Sequence, residues 1–324
     1  MTETTGTTGT TGARKAREGY EVVVVGGGAA GLSAALVLGR ARRRTLLVDA
    51  GEPRNAPAAH MQGYLTRDGM APGDFLAEGR REVEGYGVEL VRDRVVDVSR
   101  DGAGEFDVTL ADGGTAHARR LIVATGLADA LPPVPGLAER WGRDVLHCPY
   151  CHGWEVRDEA FGVLATGPLS VHQALLVTQW SKDVTLFLHT TAEDDLTDED
   201  LRRLAAAGVG VVPGEVAGLV VEDGHVTGVR LAGGTVVPRS VVFVATRTTP
   251  RTGLLDRLGA EVHDTPFGTF PVVDATGLTS VPGVWAAGNA TGPAEQVVNA
   301  AGAGYRAAAT VNGDLLFADI DAAL

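Results

Sequence analysis

The chain is poor in cysteine, in aromatic residues and in positive charge. Among its 324 residues there are two cysteines, and aromatic residues make up 5%. Lys and Arg number 28 against 41 Asp and Glu, which gives a formal net charge of −13. A surface of this sign repels phosphate polymers and anionic lipid. These deficits exclude a scattered disulfide framework and argue against nucleic acid and membrane surfaces as partners.

Long apolar runs are also missing. No run approaches the roughly 18 apolar residues that span a bilayer, and the amino-terminal segment lacks the apolar core of a secretory signal. We therefore expect a cytoplasmic protein. Residues 1–17 are Thr- and Gly-rich and then basic, which predicts a disordered tail, with a docking arm as the alternative. The length and the hydrophobic content of 44% predict two domains.

A nucleotide-binding pattern opens the chain after this tail. A β-branched run at 20–25 predicts a strand, residues 29–40 predict a helix, and a second apolar run at 45–48 ends at Asp49. Strand, glycine turn, helix, strand and terminal acid together indicate a dinucleotide-binding βαβ unit. Asp49 stands where a carboxylate accepts from a ribose hydroxyl, although a solvated turn residue is the alternative.

The turn has the spacing Gly26-x-Gly28-x-x-Gly31. Gly26 permits a tight turn, and Gly28 allows the backbone to approach a pyrophosphate. Gly31 allows the helix to pack close to the strand, with its amino-terminal N–H groups facing the phosphates.

A second strand–helix–strand pattern follows at 161–164, 169–180 and 184–188, so the chain contains an internal repeat. This copy has lost most of its turn glycines. Between the two units, runs at 88–98, 106–110 and 121–124 predict strands, and a small-residue helix is predicted at 296–316.

Both cysteines fall in one CPYC motif, Cys148 and Cys151. We interpret them as a redox pair at a helix start, where the amino-terminal dipole lowers the pKa of a thiol. Two inert buried thiols are one alternative. A zinc site completed by His147 and His152 is the other, although the favoured hypothesis includes no metal.

The ordered motifs resemble the low-molecular-weight thioredoxin reductase family from Tyr20 to the carboxyl terminus. They are GGGAAG, IVATG at 122–126, CPYC, the central βαβ unit, and AAGN followed by Gln296 and AAGAG. The resemblance implies an α/β fold of two Rossmann-like three-layer dinucleotide-binding domains, the class II pyridine nucleotide-disulfide oxidoreductase architecture. Residues 18–126 and 247–324 would form a discontinuous FAD domain, and residues 127–246 an inserted NADPH-domain-like unit that carries the cysteines. It also implies a homodimer.

The resemblance assigns the cofactor contacts residue by residue. The adenosine diphosphate half of FAD would be held by Gly26, Gly28, Gly31 and Asp49. Thr125 and Gly126 would pass beside the cofactor, and Gln296 would lie near the isoalloxazine ring. Asn289 stands where the family usually has an Asp that touches the ribityl chain, so that contact would become a neutral hydrogen bond.

The resemblance also divides the chemistry between the two cysteines. Cys151 would face the flavin, and Cys148 would meet the substrate sulfur. His152 occupies the position of the family's acidic general acid/base, where imidazole suits proton exchange with a thiol, and a structural histidine is the alternative. The sequence assigns no role to His60 or His147.

The second unit departs from the family. Thr166 stands at a glycine position, Pro168 enters the turn, and residues 190–195 supply hydroxyls and carboxylates instead of phosphate-binding arginines. NADPH binding is therefore doubtful. The favoured hypothesis is an FAD-dependent dithiol oxidase that acts on a small-molecule dithiol or a thiol protein, with dioxygen as acceptor. The alternatives are a thioredoxin reductase-like enzyme fed by NADPH or a carrier such as ferredoxin, and a redox sensor or scaffold without turnover.

Overall fold

The computed structural model describes residues 17–167 and 169–324. Apart from Arg17, which begins the first strand, the predicted disordered tail at 1–17 lies outside the described residues, as does Pro168.

The described chain alternates strands and helices. The strands are β1 (Arg17–Val25), β2 (Thr45–Val48), β3 (Glu89–Val91), β4 (Val95–Arg100), β5 (Phe106–Leu110), β6 (Thr115–Val123), β7 (Leu127–Ala130), β8 (Val145–Leu146), β9 (Phe161–Leu164), β10 (Val184–Phe187), β11 (Gly210–Val212), β12 (Val216–Glu222), β13 (His225–Leu231), β14 (Val236–Pro238), β15 (Val241–Val244), β16 (Arg247–Pro250), β17 (Val262–Thr265), β18 (Gly268–Pro271) and β19 (Val284–Ala286). The helices are α1 (Ala29–Arg40), α2 (Pro72–Gly85), α3 (Leu137–Arg140), α4 (Pro149–His152), α5 (Leu169–Val177), α6 (Asp198–Ala206), α7 (Gly253–Arg257) and α8 (Val297–Asp321).

The first sheet has a parallel centre. Its order is β3-β2-β1-β6-β5-β4, and β19 pairs with β6. Strand β1 is parallel to both β2 and β6, and its core residues Val22, Val23 and Val24 are fully buried. A strand covered on both faces needs such a continuous apolar run. Helices α1, α2 and α8 cover one face of this sheet and form a hydrophobic core with it. Side chains of β4 and β5 belong to a second hydrophobic core on the other face.

The second sheet is parallel throughout, in the order β11-β10-β9-β15-β8. Helices α5 and α6 pack on one face, and the antiparallel sheet β12-β13-β14 packs on the other. The predicted α/β class with two Rossmann-like three-layer units is therefore confirmed.

Two connections join the sheets. Strand β7 leaves the first sheet and β16 returns to it, and the two pair antiparallel, from Leu127 opposite Pro250 to Ala130 opposite Arg247. The chain between them forms the second sheet and its covering layers, so this ribbon is the covalent link between the two units.

Some sequence-based boundaries were wrong. The single strand predicted at 88–98 is two strands, β3 and β4, because the chain turns at Asp93. Its backbone N–H donates to Asp49 O at 3.1 Å, and its side chain accepts from the N–H of Arg94 at 2.7 Å. Strand β3 then pairs with β2, whereas β4 pairs with β5. The last helix runs to Asp321 rather than 316, and α2 and α6 were not predicted.

No helix in the described part of the chain is both long enough and apolar enough to cross a membrane.

The crossing of α1 and α8 gives a prediction about stability. A Cβ at Gly304 would lie 1.9 Å from Ala30 O, whereas a Cβ at Gly302, on the same helix, would come no closer than 3.7 Å to Arg306. We expect Gly304→Ala to lower the free energy of unfolding by about 1–3 kcal/mol or more, because the helices must separate. Gly302→Ala is the control and should be neutral or stabilising by up to about 1 kcal/mol. Urea denaturation of both variants measures the difference, and equal stabilities would contradict the tight crossing.

Candidate active site

A cavity of about 1150 Å³ lies along the carboxyl ends of β1 and β6 and extends to the CPYC motif. This volume exceeds the roughly 300–1,000 Å³ of pockets for single small ligands, so it has room for a large cofactor. All predicted site residues except Gly31 line it: Gly26, Gly28, Asp49, Thr125, Gly126, Cys148, Cys151, His152, Asn289 and Gln296. The structure therefore brings the predicted residues together, and their individual roles remain predictions.

The glycine loop has a geometry suited to a dinucleotide. Gly26 has φ +106°, and a Cβ there would lie 2.3 Å from Ala124 O. A Cβ on Gly31 would lie 1.7 Å from Gly26 O, so the third glycine allows α1 to start against the turn. At Gly28 no atom lies within 4 Å of the Cβ position, which leaves this part of the backbone accessible from the cavity. The loop thus fits the diphosphate of a dinucleotide at a helix amino terminus.

Asp49 is held in position beside this loop. It is 8% exposed, and its Oδ1 accepts from the backbone N–H groups of Gly27 at 3.2 Å and Gly51 at 3.1 Å. Arg80 of α2 donates to Oδ2 at 3.3 Å, a contact that sequence reasoning missed because α2 was not predicted.

Two of the other predicted cofactor contacts have local partners. The hydroxyl of Thr125 donates to Arg251 O at 2.6 Å, so this side chain ties the two connections between the sheets. The amide nitrogen of Asn289 donates to Gly292 O at 3.0 Å. One of the two N–H donors of Asn289 is used locally, and its Oδ1 can accept a hydrogen bond as an oxygen of the aspartate expected from the family resemblance would.

Cys148 and Cys151 form a disulfide, with their Cα atoms 5.3 Å apart. Cys148 is the residue before α4, and Cys151 lies within it. The expected stabilisation by a helix dipole was overstated, because α4 is a single turn of four residues and few peptide dipoles are aligned. The side-chain amide of Gln296, just before α8, contacts both sulfur atoms at 3.3 and 3.4 Å.

Two histidines flank the disulfide. Burial lowers the pKa of His152 below its ordinary value of 6.5, although the nearby Glu155 opposes the shift. Burial, reinforced by the positive charge of Arg54, also lowers the pKa of His147. Both rings are therefore neutral near pH 7. An interaction of the His152 ring with the backbone of Cys148 also opposes the downward shift of the His152 pKa.

An ion pair fastens the cysteine-bearing unit to the first sheet. Arg54 donates to both oxygens of Asp129 on β7, at 2.7 and 2.8 Å, and Thr246 donates to the same carboxylate at 2.6 Å. Burial would raise the pKa of Asp129, but the hydrogen bonds and charge of Arg54 outweigh it and lower that pKa. Sequence reasoning did not find this cluster, because its members are 75 and 117 residues apart.

Among the described residues, the one group of three potential metal ligands within 4.8 Å of one another is Asp101, Glu105 and His117. Hydrogen bonds that the ring of His117 donates to the carboxylates of Asp107 and Glu105 raise the pKa of His117, which favours its cationic form and disfavours a cation beside it. The alternative zinc site would use Cys148 and Cys151 as ligands. Their two sulfur atoms are bonded to each other in this structure.

In the turn of the second βαβ unit, the polar groups of Thr166 are bonded within the protein. The backbone N–H of Thr166 donates to the hydroxyl of Ser170 at 2.9 Å, and the hydroxyl of Thr166 donates to Ala245 O at 2.9 Å. After β10, Nδ1 of His189 accepts from the backbone N–H of Val216 at 3.0 Å. Groups that would face a nucleotide in an intact unit are thus used within the protein.

Comparisons with known proteins identify relatives of similar sequence and fold. The family described as pyridine nucleotide-disulphide oxidoreductase matches residues 20–304. Thioredoxin reductase sirT of Leptosphaeria maculans is 34% identical over 320 residues, covering 94% of this chain and 96% of that protein. The crystal structure of HlmI superposes with a TM-score of 0.90 at 54% identity, covering 94% of this chain and 95% of that one. An oxidoreductase from Agrobacterium tumefaciens gives 0.85 at 38% identity, covering 92% and 99%.

The open position at Gly28 gives a test of cofactor binding. We expect the protein to purify with FAD and Gly28→Val to lose most of it, because the new side chain would occupy the space nearest the diphosphate without a clash inside the protein. Gly73→Val, at another uncrowded glycine that does not line the cavity, is the control. The ratio of flavin to protein absorbance measures the effect. A folded wild-type protein that cannot be reconstituted with FAD would contradict the assignment.

Proposed function

We propose that this chain, which belongs to the pyridine nucleotide-disulphide oxidoreductase family, is an FAD-dependent dithiol oxidase that closes a disulfide in a small-molecule dithiol, with dioxygen as the electron acceptor. It is a thioredoxin reductase-like disulfide oxidoreductase, and the family implies a flavin cofactor. The observation that carries the more specific proposal is a contrast between the two nucleotide turns: Gly28 of the first turn lines the cavity that reaches the disulfide, whereas Thr166 of the second turn has its N–H and its hydroxyl bonded within the protein.

The internal hydrogen bonds of Thr166 in the second turn argue against NADPH as electron donor. A pyrophosphate binds at such a turn by accepting from backbone N–H groups, and the N–H of Thr166 already donates to Ser170. The segment after β10 then carries Glu193, Asp194 and Asp195, whose charges repel a 2′-phosphate. Losing two or three charge-assisted contacts of about 1.5–3 kcal/mol each weakens binding by several orders of magnitude. A dithiol as donor needs none of these contacts.

The proposed reaction is two thiol–disulfide exchanges at Cys148. A thiolate of the substrate attacks Cys148 Sγ, the Cys148–Cys151 bond breaks, and Cys151 leaves as a thiolate. The second substrate thiol, after loss of its proton, attacks the sulfur that is bonded to Cys148, so that the substrate leaves as a disulfide. The substrate has then lost two electrons and two protons, and the cysteine pair has gained two electrons. The neutral ring of His152 accepts and returns the protons.

Bound FAD would supply an acceptor for the two electrons and two protons of the cysteine pair, and dioxygen could reoxidise this acceptor with hydrogen peroxide as the product. The residues proposed to hold it are those of the first turn and Asp49, with Asn289 and Gln296 toward the cysteines.

Two alternatives remain. A thioredoxin reductase-like enzyme fed by NADPH or by a carrier such as ferredoxin is favoured by the name of the Leptosphaeria relative, a thioredoxin reductase. A redox sensor without turnover would keep the disulfide and the cofactor. We further propose that the protein is cytoplasmic and forms a homodimer. The dimer is supported by the exposed apolar side chains Leu316, Phe317 and Ile320 at the end of α8. A thiol protein is the alternative substrate.

The choice of electron donor is directly measurable. In air, the purified protein should consume oxygen and produce peroxide with small dithiols. Under argon, the same dithiols should bleach the flavin faster than NADPH or NADH does. Cys148→Ser and Cys151→Ser should each abolish turnover and retain FAD, because one sulfur cannot cycle between dithiol and disulfide. Rapid bleaching by NADPH, with none by any dithiol, would favour the reductase. Failure of every donor to support turnover would favour the sensor.

The proposed proton acceptor gives a prediction about pH. Because burial lowers the pKa of His152 below 6.5, the ring is neutral at pH 7 and becomes protonated as the pH falls through that lowered value. Dithiol turnover should therefore fall on the acid side, with a midpoint below pH 6.5. In His152→Ala this limb should disappear, and turnover at pH 7 should drop by about 10²-fold. The control is His172→Ala, since His172 is exposed and lines the same cavity. A change below a few-fold in His152→Ala would leave that residue a structural role.

A further inference from the structure

The side-chain amide of Gln296 spans the two sulfur atoms. Its Nε2 donates to Cys148 Sγ at 3.4 Å, and its Oε1 lies 3.3 Å from Cys151 Sγ. The two ends of an amide are chemically opposite, because the nitrogen only donates hydrogen bonds and the oxygen only accepts them. The two sulfurs of a symmetric-looking CxxC motif therefore have unequal neighbours.

Other groups near the disulfide do little to favour a negative charge on sulfur. Helix α4 is a single turn, and His147 and His152 are neutral near pH 7. Other titratable side chains near the cysteines are Tyr150, His172, Glu295 and the Arg54–Asp129 pair, which line the cavity, and Glu155, which lies near His152. The charge of Arg54 is paired with Asp129, and Glu295 is acidic. The N–H group of Gln296 is thus well situated to stabilise a thiolate, and it points at one sulfur only.

We propose that Gln296 is a catalytic residue that decides which thiol of the reduced pair ionises: Cys148 becomes the thiolate, held by Nε2–H, and Cys151 remains the thiol, donating its proton to Oε1. Reduction of the disulfide by two electrons and two protons gives two thiols. Release of one proton to solvent leaves a single negative charge on the pair, and the orientation of the amide assigns that charge to Cys148.

This assignment extends the proposed function. It rests on that function only where it assigns the two sulfurs their roles during turnover. Cys148 is the sulfur that the substrate leaves in the second exchange, so a donor on Cys148 stabilises the charge that develops there. Cys151 must then lose its proton before it gives electrons to the cofactor, and His152 supplies the acceptor.

The side chain can be changed without removing a helix cap. Gln296 precedes α8, and its side chain makes no capping hydrogen bond. Gln296→Met keeps the approximate shape without the amide, and Gln296→Glu adds a charge that opposes a thiolate. Asn299→Leu is the matched control, because Asn299 is another exposed amide at the start of α8 and does not line the cavity.

The experiment measures the ionisation of each cysteine in the FAD-loaded protein. The protein is kept under argon with excess tris(2-carboxyethyl)phosphine, and short pulses of iodoacetamide are applied from pH 5 to 10. Unlabelled cysteines are then blocked in denaturant with an isotopic form of the reagent. Fragment mass spectrometry of the peptide that holds both cysteines gives the labelling rate of each.

In the wild type and in Asn299→Leu, Cys148 should be labelled about tenfold faster than Cys151 at pH 7, because the thiolate is the reactive form. Gln296→Met should raise the pH midpoint of Cys148 labelling by about one unit, as expected for the loss of one charge-assisted hydrogen bond, and should reduce the preference to about threefold or less. Gln296→Glu should raise that midpoint further, and it provides the same test if Gln296→Met does not fold.

Faster labelling of Cys151 in the wild type would overturn the inference, as would a Cys148 midpoint that neither substitution moves. These outcomes are independent of the proposed function. A protein that labels as expected but oxidises no dithiol in air would contradict the dithiol oxidase proposal and leave the role of Gln296 standing.

Discussion

At the contact between the CPYC turn and the start of α8, a side chain from the unit of the first sheet touches the disulfide of the inserted unit. Gln296 belongs to the first sheet's covering helix, whereas Cys148 and Cys151 belong to the inserted unit. Sulfur-to-amide distances of 3.3 and 3.4 Å require the start of α8 and the CPYC turn to lie close together. The proposed role of Gln296 therefore depends on the contacts that keep the two units in this position.

Those contacts are concentrated at the two connections. Strands β7 and β16 pair with each other, so the inserted unit is joined by a hydrogen-bonded ribbon rather than by two free linkers. Arg54 then binds Asp129 through two nearly parallel hydrogen bonds, and such a bidentate pair fixes orientation as well as distance. Burial of Asp129 makes an unpaired carboxylate costly there, which ties Arg54 to the ribbon. The positive charge of Arg54 also lowers the pKa of His147, the residue beside Cys148. The Arg54–Asp129 pair therefore helps to keep His147 neutral.

The parts of this arrangement that the sequence predicts are those encoded by local geometry. The spacing of Gly26, Gly28 and Gly31 predicts the first βαβ unit because each glycine satisfies a steric requirement within a few residues, and helix α1 has the predicted ends. The two cysteines are close in sequence, so their pairing was also predictable. By contrast, Gln296 is 145 and 148 residues from the two sulfurs it contacts. A contact at that separation is a product of the tertiary fold, and neither composition nor periodicity encodes it. The ion pair of Arg54 and Asp129 could not be predicted for the same reason, because the two residues are 75 positions apart.

The two nucleotide turns illustrate how one fold can lose a site without losing its structure. Both units keep parallel strands and a buried helix face, because these are needed for the cores. The turn itself contributes little to either core, so it can change freely. In the second unit Ser170 is 1% exposed and accepts from the N–H of Thr166, so this donor has a partner within the protein. An internal partner of this kind is present in every molecule, whereas a phosphate must compete for the donor and would have to displace the hydroxyl. The internal hydrogen bond of Thr166 therefore favours the ligand-free state of the second unit, whereas the backbone at Gly28 in the first unit is accessible from the cavity.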